Sequence, residues 1–272
     1  MAQSPPPPYC GAAPTPDQIW SRWNLDPILI VLALGVLALY VLGARTAALP
    51  TRRRAAFCSG WAIATAALIS PLCPLSVALL SARIGQHMIL AACAAPLIAF
   101  GRPLQALVAG WQGRAERPPG AERGSPLWAA TTFAAALWFW HAPAPYAATF
   151  QSTAVYWAMH ATLFGTALWL WAVLIADGGP RLAATVAAVA LTSLQMGVLG
   201  ALITFAPRPL YAPHLLTTWA WGLSPLDDQQ MAGAIMWAPS GLFFVAGLAL
   251  AFTAALRRAE RGTSPQMAPA GV

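Results

Sequence analysis

Apolar runs long enough to cross a bilayer recur along almost the whole chain, and they constrain its fold before any motif is considered. A helix needs about 20 apolar residues to span roughly 30 Å of hydrocarbon. Seven candidates stand at Pro27–Ala44, Ala55–Pro71, Ser76–Phe100, Pro126–Ala142, Ser152–Ala176, Leu182–Phe205 and Gln229–Leu256. Proline, glycine or charge separates them, as in SPLCPLS at 70–76 and DGGPR at 177–181. The expected fold is all-α: a polytopic membrane protein built as a seven-transmembrane-helix bundle.

Composition supports this reading. Of 272 residues, 58% are hydrophobic and 8% charged, and a mean hydropathy of +0.61 argues against a soluble domain. The net charge of +7 comes from 15 arginines with no lysine. These lie in the loops between apolar runs and not on one soluble face, so the bilayer, and not nucleic acid, is the expected partner. Twelve of them (Arg45, Arg52, Arg53, Arg54, Arg102, Arg114, Arg117, Arg123, Arg181, Arg257, Arg258 and Arg261) fall on one side of the seven runs, and two, Arg22 and Arg208, on the other. Arginine-rich short loops stay cytoplasmic. The N-terminus is therefore expected outside and the C-terminus in the cytoplasm, in a multi-pass protein of the inner membrane.

The expected organisation is a proline-rich, poorly ordered outer tail over 1–22, the transmembrane domain over 23–257 and a frayed cytoplasmic end over 258–272. The start has no basic n-region or apolar h-region, so the first run is expected to target the chain. The stretch 101–125 reads as a polar cytoplasmic linker. Cys10, Cys58, Cys73 and Cys93 make no CxxC pair or zinc-like spacing. Cys58 and Cys93, inside apolar runs, are expected to be small core residues.

Polar residues collect in the outer half of this topology. Asp26 opens the first run, Arg83 and His87 lie in the third, and His141 ends the fourth. Tyr156 and His160 share a face of the fifth, Gln195 lies in the sixth, and Asp227, Asp228 and Gln229 open the seventh. Arg83 is the one arginine inside a run. An arginine at mid-membrane costs about 2.5–3.5 kcal/mol on insertion scales, so it needs a partner facing the bundle. Asp26, Asp227 and Asp228 are the outer carboxylates within plausible reach, either locking helices together or orienting a functional group. Imidazole suits copper and zinc, and thioether suits Cu(I), so converging His and Met side chains make a candidate copper site. Hydrogen-bonded helix packing is the other reading of the histidines, and gap filling that of the methionines. His214, in PLYAPHLL, reads as an outer-loop residue.

Several segments carry a resemblance: NLDP at 24–27, AAFCSGW and ISPLCPLS through Ser76, QHMIL at 86–90 with APLIAFGRPL at 95–104, WHAPAPY at 140–146, YWAMHATLF at 156–164, TFAPRPLY at 204–211 and DQQMAGAIMWAPSG at 228–241. In this order they resemble the multi-span CtaG-type cytochrome c oxidase assembly factors. The resemblance implies a seven-helix inner-membrane protein that matures a haem-copper oxidase without catalytic turnover of its own, works on oxidase subunits and assists copper delivery to the catalytic subunit. The family pattern in the third span resembles HMxxHM, and Arg83 stands here in place of its first histidine. Arginine is a permanent cation and cannot ligate copper. The implied Cu(I) set is then His87, Met88, His160 and Met231, and a partner-docking role without metal is the alternative. Two other functions stay open. A copper transporter needs a polar path through both membrane halves, and the inner halves carry almost no His, Asp, Glu or Met. A haem-binding redox protein needs two facing histidines, for which His87 and His160 are the candidates. No GxSxG, P-loop or GxGxxG occurs in a strand-to-helix context.

Overall fold

The computed structural model describes residues 7–114, 124–176 and 181–237, and the single helical positions 241, 245, 249, 253 and 256. Among the described residues it is helical and has no strands. The helices are α1 (Pro27–Thr46), α2 (Thr51–Ile69), α3 (Leu72–Ala78), α4 (Leu80–Met88), a π-helical turn (Ile89–Ala94), α5 (Ala95–Phe100), α6 (Pro103–Gln112), α7 (Pro126–His141), α8 (Pro143–Ala148), α9 (Thr153–Ala176), α10 (Leu182–Phe205) and α11 (225–237).

Four stretches are long and apolar enough to cross a membrane: α1, the continuous helix Leu80–Phe100, α9 and α10. The pair α2 and α3, bent by 48°, makes a fifth if counted as one span. The expected fourth span, 126–142, is a helix of 16 residues. The expected seventh, 229–256, is described continuously only to residue 237, and the expected tail 258–272 lies outside the described residues. Bare apolar side chains cover the outside, as at Ile28, Val31, Leu32 and Leu34 of α1. Lipid accommodates such a face where water would not. The exposed Trp20, Trp23, Trp111, Trp128 and Trp219 flank helix ends, as indole rings do at a membrane boundary.

Four expectations need correction. The third span does not begin at Ser76: Leu79 is extended at φ −126°, ψ 133°, so Ser76 to Ala78 finish α3 and a new helix starts at Leu80. The stretch 101–125 is not wholly a linker, because Pro103–Gln112 folds as α6 and packs on α1. Glycines permit that approach: a Cβ on Gly43 would overlap the Ala106 backbone, and one on Gly110 would overlap Leu39. Residues 7–22 are not a loose tail. Cys10 is disulfide-bonded to Cys73, Tyr9 stacks on Tyr156, and the Trp221 indole donates to the Pro14 carbonyl. Proline-rich composition suggested an extended segment, but covalent and aromatic anchors hold it to the bundle. Of the other cysteines, Cys58 is half-buried and Cys93 exposed, so Cys93 is not a core residue.

Candidate functional site: a histidine cluster under a clamped helix start

The site is built on α4. Its first backbone N–H groups have no partner within the helix, and no local side chain caps them. Asp228, from α11, supplies the cap. Its carboxylate accepts from Leu80 N at 2.7 Å, from Ser81 N at 3.2 Å and from the Ser81 hydroxyl at 2.5 Å, and it is fully buried. Helix N-termini favour negative charge, so the carboxylate both pins the start of α4 and answers its dipole. Its neighbours divide the remaining structural work. Ser224 and Asp227 exchange hydrogen bonds in a capping box that starts α11. Gln229 accepts from Leu210 N at 2.6 Å and donates to the Ile203 and Arg208 carbonyls at 3.3 Å, fastening the turn after α10.

One turn into α4, Arg83 is 2% exposed. The expected partnership with Asp26, Asp227 or Asp228 does not form: among the described residues its partners carry no charge. It donates to the Thr149 hydroxyl at 2.6 Å and to Met159 Sδ at 3.7 Å. Its guanidinium lies 4.4 Å from the Phe150 ring centroid, 5.0 Å from Tyr146 and 5.8 Å from Tyr156. A desolvated cation–π contact contributes up to roughly 2 kcal/mol. Three rings and a hydroxyl can therefore offset an insertion penalty of about 2.5–3.5 kcal/mol without a carboxylate. Asp228 is already used by α4, and that leaves the arginine to the aromatics.

The next turn carries His87. Its ring centroid lies 5.3 Å from His160 on α9 and 6.5 Å from His141 at the end of α7. His141 Nδ1 donates to the Leu137 carbonyl at 2.7 Å, and His160 Nδ1 to the Tyr156 carbonyl at 3.1 Å. Those bonds leave Nε2 as the lone-pair nitrogen of each ring. His160 Nε2 and both nitrogens of His87 are buried without a hydrogen-bond partner. His87, Met88 and His160 line a void of about 20 Å³ together with Phe133, Leu137 and Leu163. Below it, the π-helical turn widens the backbone, and the Trp171 indole donates to the Ala91 carbonyl at 2.9 Å. Such turns are frequent at functional sites.

His160 also lines a groove of about 410 Å³ between α1, α2 and α9, with Asp26 at its end. Asp26 caps α1 through Ile28 N at 2.8 Å and accepts from the Tyr9 hydroxyl at 2.5 Å. That phenol bond holds its carboxyl below the usual carboxylate range. Tyr156 joins the parts, with its ring 4.3 Å from His160 and its hydroxyl on the disulfide sulphurs.

The structure therefore brings together His87, Met88, His160, His141, Tyr156 and Arg83. It does not bring in Met231, which is 40% exposed and lines neither cavity. Gln195 lies apart, accepting from the Trp138 indole at 3.0 Å to tie α10 to α7. Among the described residues, no group of three or more His, Cys, Asp or Glu side chains is placed to hold a metal ion.

Sequence reasoning missed two features. The disulfide had a signal in the partition of the cysteines, two in apolar runs and two in outer segments. His214 had none: it is buried, its Nδ1 donates to the Ala78 carbonyl at 3.4 Å, and its Nε2 accepts from the Tyr146 hydroxyl at 2.5 Å. Burial first, then the Arg83 charge, push its imidazole down to about 3. An unfolded histidine titrates near 6.5, so below that pH the unfolded chain takes a proton that the folded chain refuses. This stability contribution is complete above about pH 6.5 and drains as pH falls toward 3. Melting temperatures of the detergent-solubilised protein at pH 7.5 and 5 should show a larger acid loss for wild type than for His214→Gln. Equal losses would remove His214 from the acid response.

A family described as cytochrome c oxidase caa3 assembly factor matches residues 33–258. Neither a curated protein nor a solved structure matches the chain. The matched stretch contains the α4 clamp, the arginine box and all three clustered histidines. A match over this much of a membrane-helical chain identifies it as a member of the cytochrome c oxidase caa3 assembly factor family.

Proposed function

We propose that this assembly factor binds Cu(I) as cargo between His87, His160 and Met88 and passes it to the catalytic subunit of a haem-copper oxidase. In this reading it performs no catalytic turnover and sits in the inner membrane with seven spans, its N-terminus outside and its C-terminus in the cytoplasm. The observation that carries the proposal is the set of buried imidazole nitrogens without partners around an ion-sized void. Metal-ligating histidines characteristically donate the other ring N–H to a carbonyl or carboxylate, as His141 and His160 do to Leu137 and Tyr156. Two imidazoles sharing an ion through nitrogens at about 2 Å have ring centroids at most about 6 Å apart. The 5.3 Å separation of His87 and His160 is within that limit, and the 6.5 Å separation of His87 and His141 is beyond it. Met88, in the wall of the same void, adds a thioether suited to Cu(I).

The void favours copper cargo over the two rival functions. About 20 Å³ accommodates an ion or a water, not a macrocycle, which weighs against haem. Apart from His87, His160 and Met88 its lining is hydrocarbon and aromatic, which weighs against a continuous polar path for transport. Deleting the gene should lower haem-copper oxidase activity and oxidase copper content while oxidase transcripts stay level. Normal activity and copper content in that strain would contradict the reading.

A further inference from the structure

The disulfide between Cys10 and Cys73 has surroundings that suit its reduced state better than its oxidised one. The Tyr156 hydroxyl is buried, and its hydrogen-bond partners among the described residues are sulphur atoms: Cys10 Sγ at 3.5 Å and Cys73 Sγ at 3.8 Å. A disulfide sulphur carries no hydrogen, so the phenol must be the donor. The Asn24 amide also points at Cys73 Sγ at 3.5 Å, sharing its protons with the Leu68 carbonyl at 3.2 Å. Two donors thus converge on one sulphur. Sulphur in a disulfide is a weak acceptor, whereas a thiolate accepts strongly in charge-assisted hydrogen bonds. Cys10 belongs to the segment 7–22, outside the family match at 33–258, and Cys73 lies inside it.

We propose that Cys10 and Cys73 are a redox-active pair whose dithiol state is a second, sulphur-based Cu(I) site beside the histidines. A dithiol reductant attacks Cys10 Sγ, which is 9% exposed where Cys73 is fully buried. A mixed disulfide forms, the Cys10–Cys73 bond breaks, and its electron pair goes to Cys73 Sγ, the sulphur that Asn24 and Tyr156 face. A stabilised leaving group speeds this exchange. The reductant's second thiol then displaces Cys10. The reductant ends as a disulfide, and its two electrons and two protons end on the two cysteines. Their Cα atoms stand 5.5 Å apart, close enough for both sulphurs to reach one ion. Thiolate is the softest ligand a protein offers and selects Cu(I). The Tyr156 ring separates this pair from His160, so copper held on sulphur waits one side chain from the histidine cluster. The proposal takes its cargo from the copper reading above, and its redox chemistry stands independently.

The test uses the purified full chain in detergent under anaerobic conditions. A Cys58→Ala/Cys93→Ala background removes the two free thiols. Cu(I) is titrated against a chromophoric chelator before and after mild dithiol treatment and removal of the reductant. Reduction is expected to release two thiols and add one Cu(I) equivalent per chain. The increment should vanish in Cys10→Ser/Cys73→Ser and persist in His87→Ala/His160→Ala. If the serine pair does not fold, Tyr156→Phe should slow reduction several-fold. A disulfide that resists a dithiol in the folded protein, released thiols without added copper, or an increment that disappears with the histidines would each overturn the proposal. An oxidised protein that binds no copper but gains it on reduction would sink the histidine reading and leave this one standing.

Discussion

Replacing His87 with alanine is expected to lower the Cu(I) affinity of the oxidised protein by more than about 100-fold, because losing a neighbour of a metal ligand alone costs about 10–100-fold. The expectation rests on position. His87 is the histidine that both others face, and both of its ring nitrogens lack hydrogen-bond partners. Removing it frees no hydrogen bond of its own, so the fold should tolerate the change. His160→Ala should act in the same direction, and oxidase maturation in complemented deletion strains should follow copper affinity. His214→Ala should do the opposite. It breaks the link from Tyr146 to Ala78 and lowers stability, and it leaves the imidazoles of the cluster in place. Unchanged affinity in His87→Ala would assign the histidine to packing.

The second large effect is on stability. Asp228→Ala should destabilise the protein by on the order of 3 kcal/mol, because two backbone N–H groups and a hydroxyl lose their acceptor in a buried place and each orphan costs about 1–3 kcal/mol. The loss is concentrated at the start of α4, which positions Arg83 and His87. Thermal unfolding in detergent measures the total, and amide exchange at Leu80 and Ser81 reports the opening at the helix start. Asp228→Asn keeps an acceptor and should fall between wild type and alanine. An alanine variant with native stability and protected amides would show that α4 does not depend on this clamp.

The same residues show what the sequence made legible. Apolar runs and their proline or glycine breaks located α1, α9 and α10 closely, since hydrocarbon thickness sets a helix length that composition reveals. The break at Leu79 was invisible. It lies in the apolar run PLSVALL with no glycine or proline at the break, and the carboxylate that caps the new helix comes from 148 residues away. Arg83 announced itself by cost, and the sequence named carboxylates as its partners. Its actual partners are aromatic faces on α8, α9 and the turn between them, whose approach depends on tertiary packing. His87 and His160 were found by residue type and depth. His141, one of the outer polar residues, faces His87, whereas Met231, part of the ligand set that the resemblance implies, is turned to the surface. Residue chemistry marks which side chains can do work. Which of them meet is fixed by contacts between helices distant in the chain.

Copper-edge X-ray absorption of the oxidised protein loaded with one Cu(I) tests the account most directly. Two imidazole nitrogens at about 2 Å, a pair broken in His87→Ala, are the predicted outcome. Wild-type protein that retains no copper, or copper that keeps two imidazole nitrogens in His87→Ala, would contradict it.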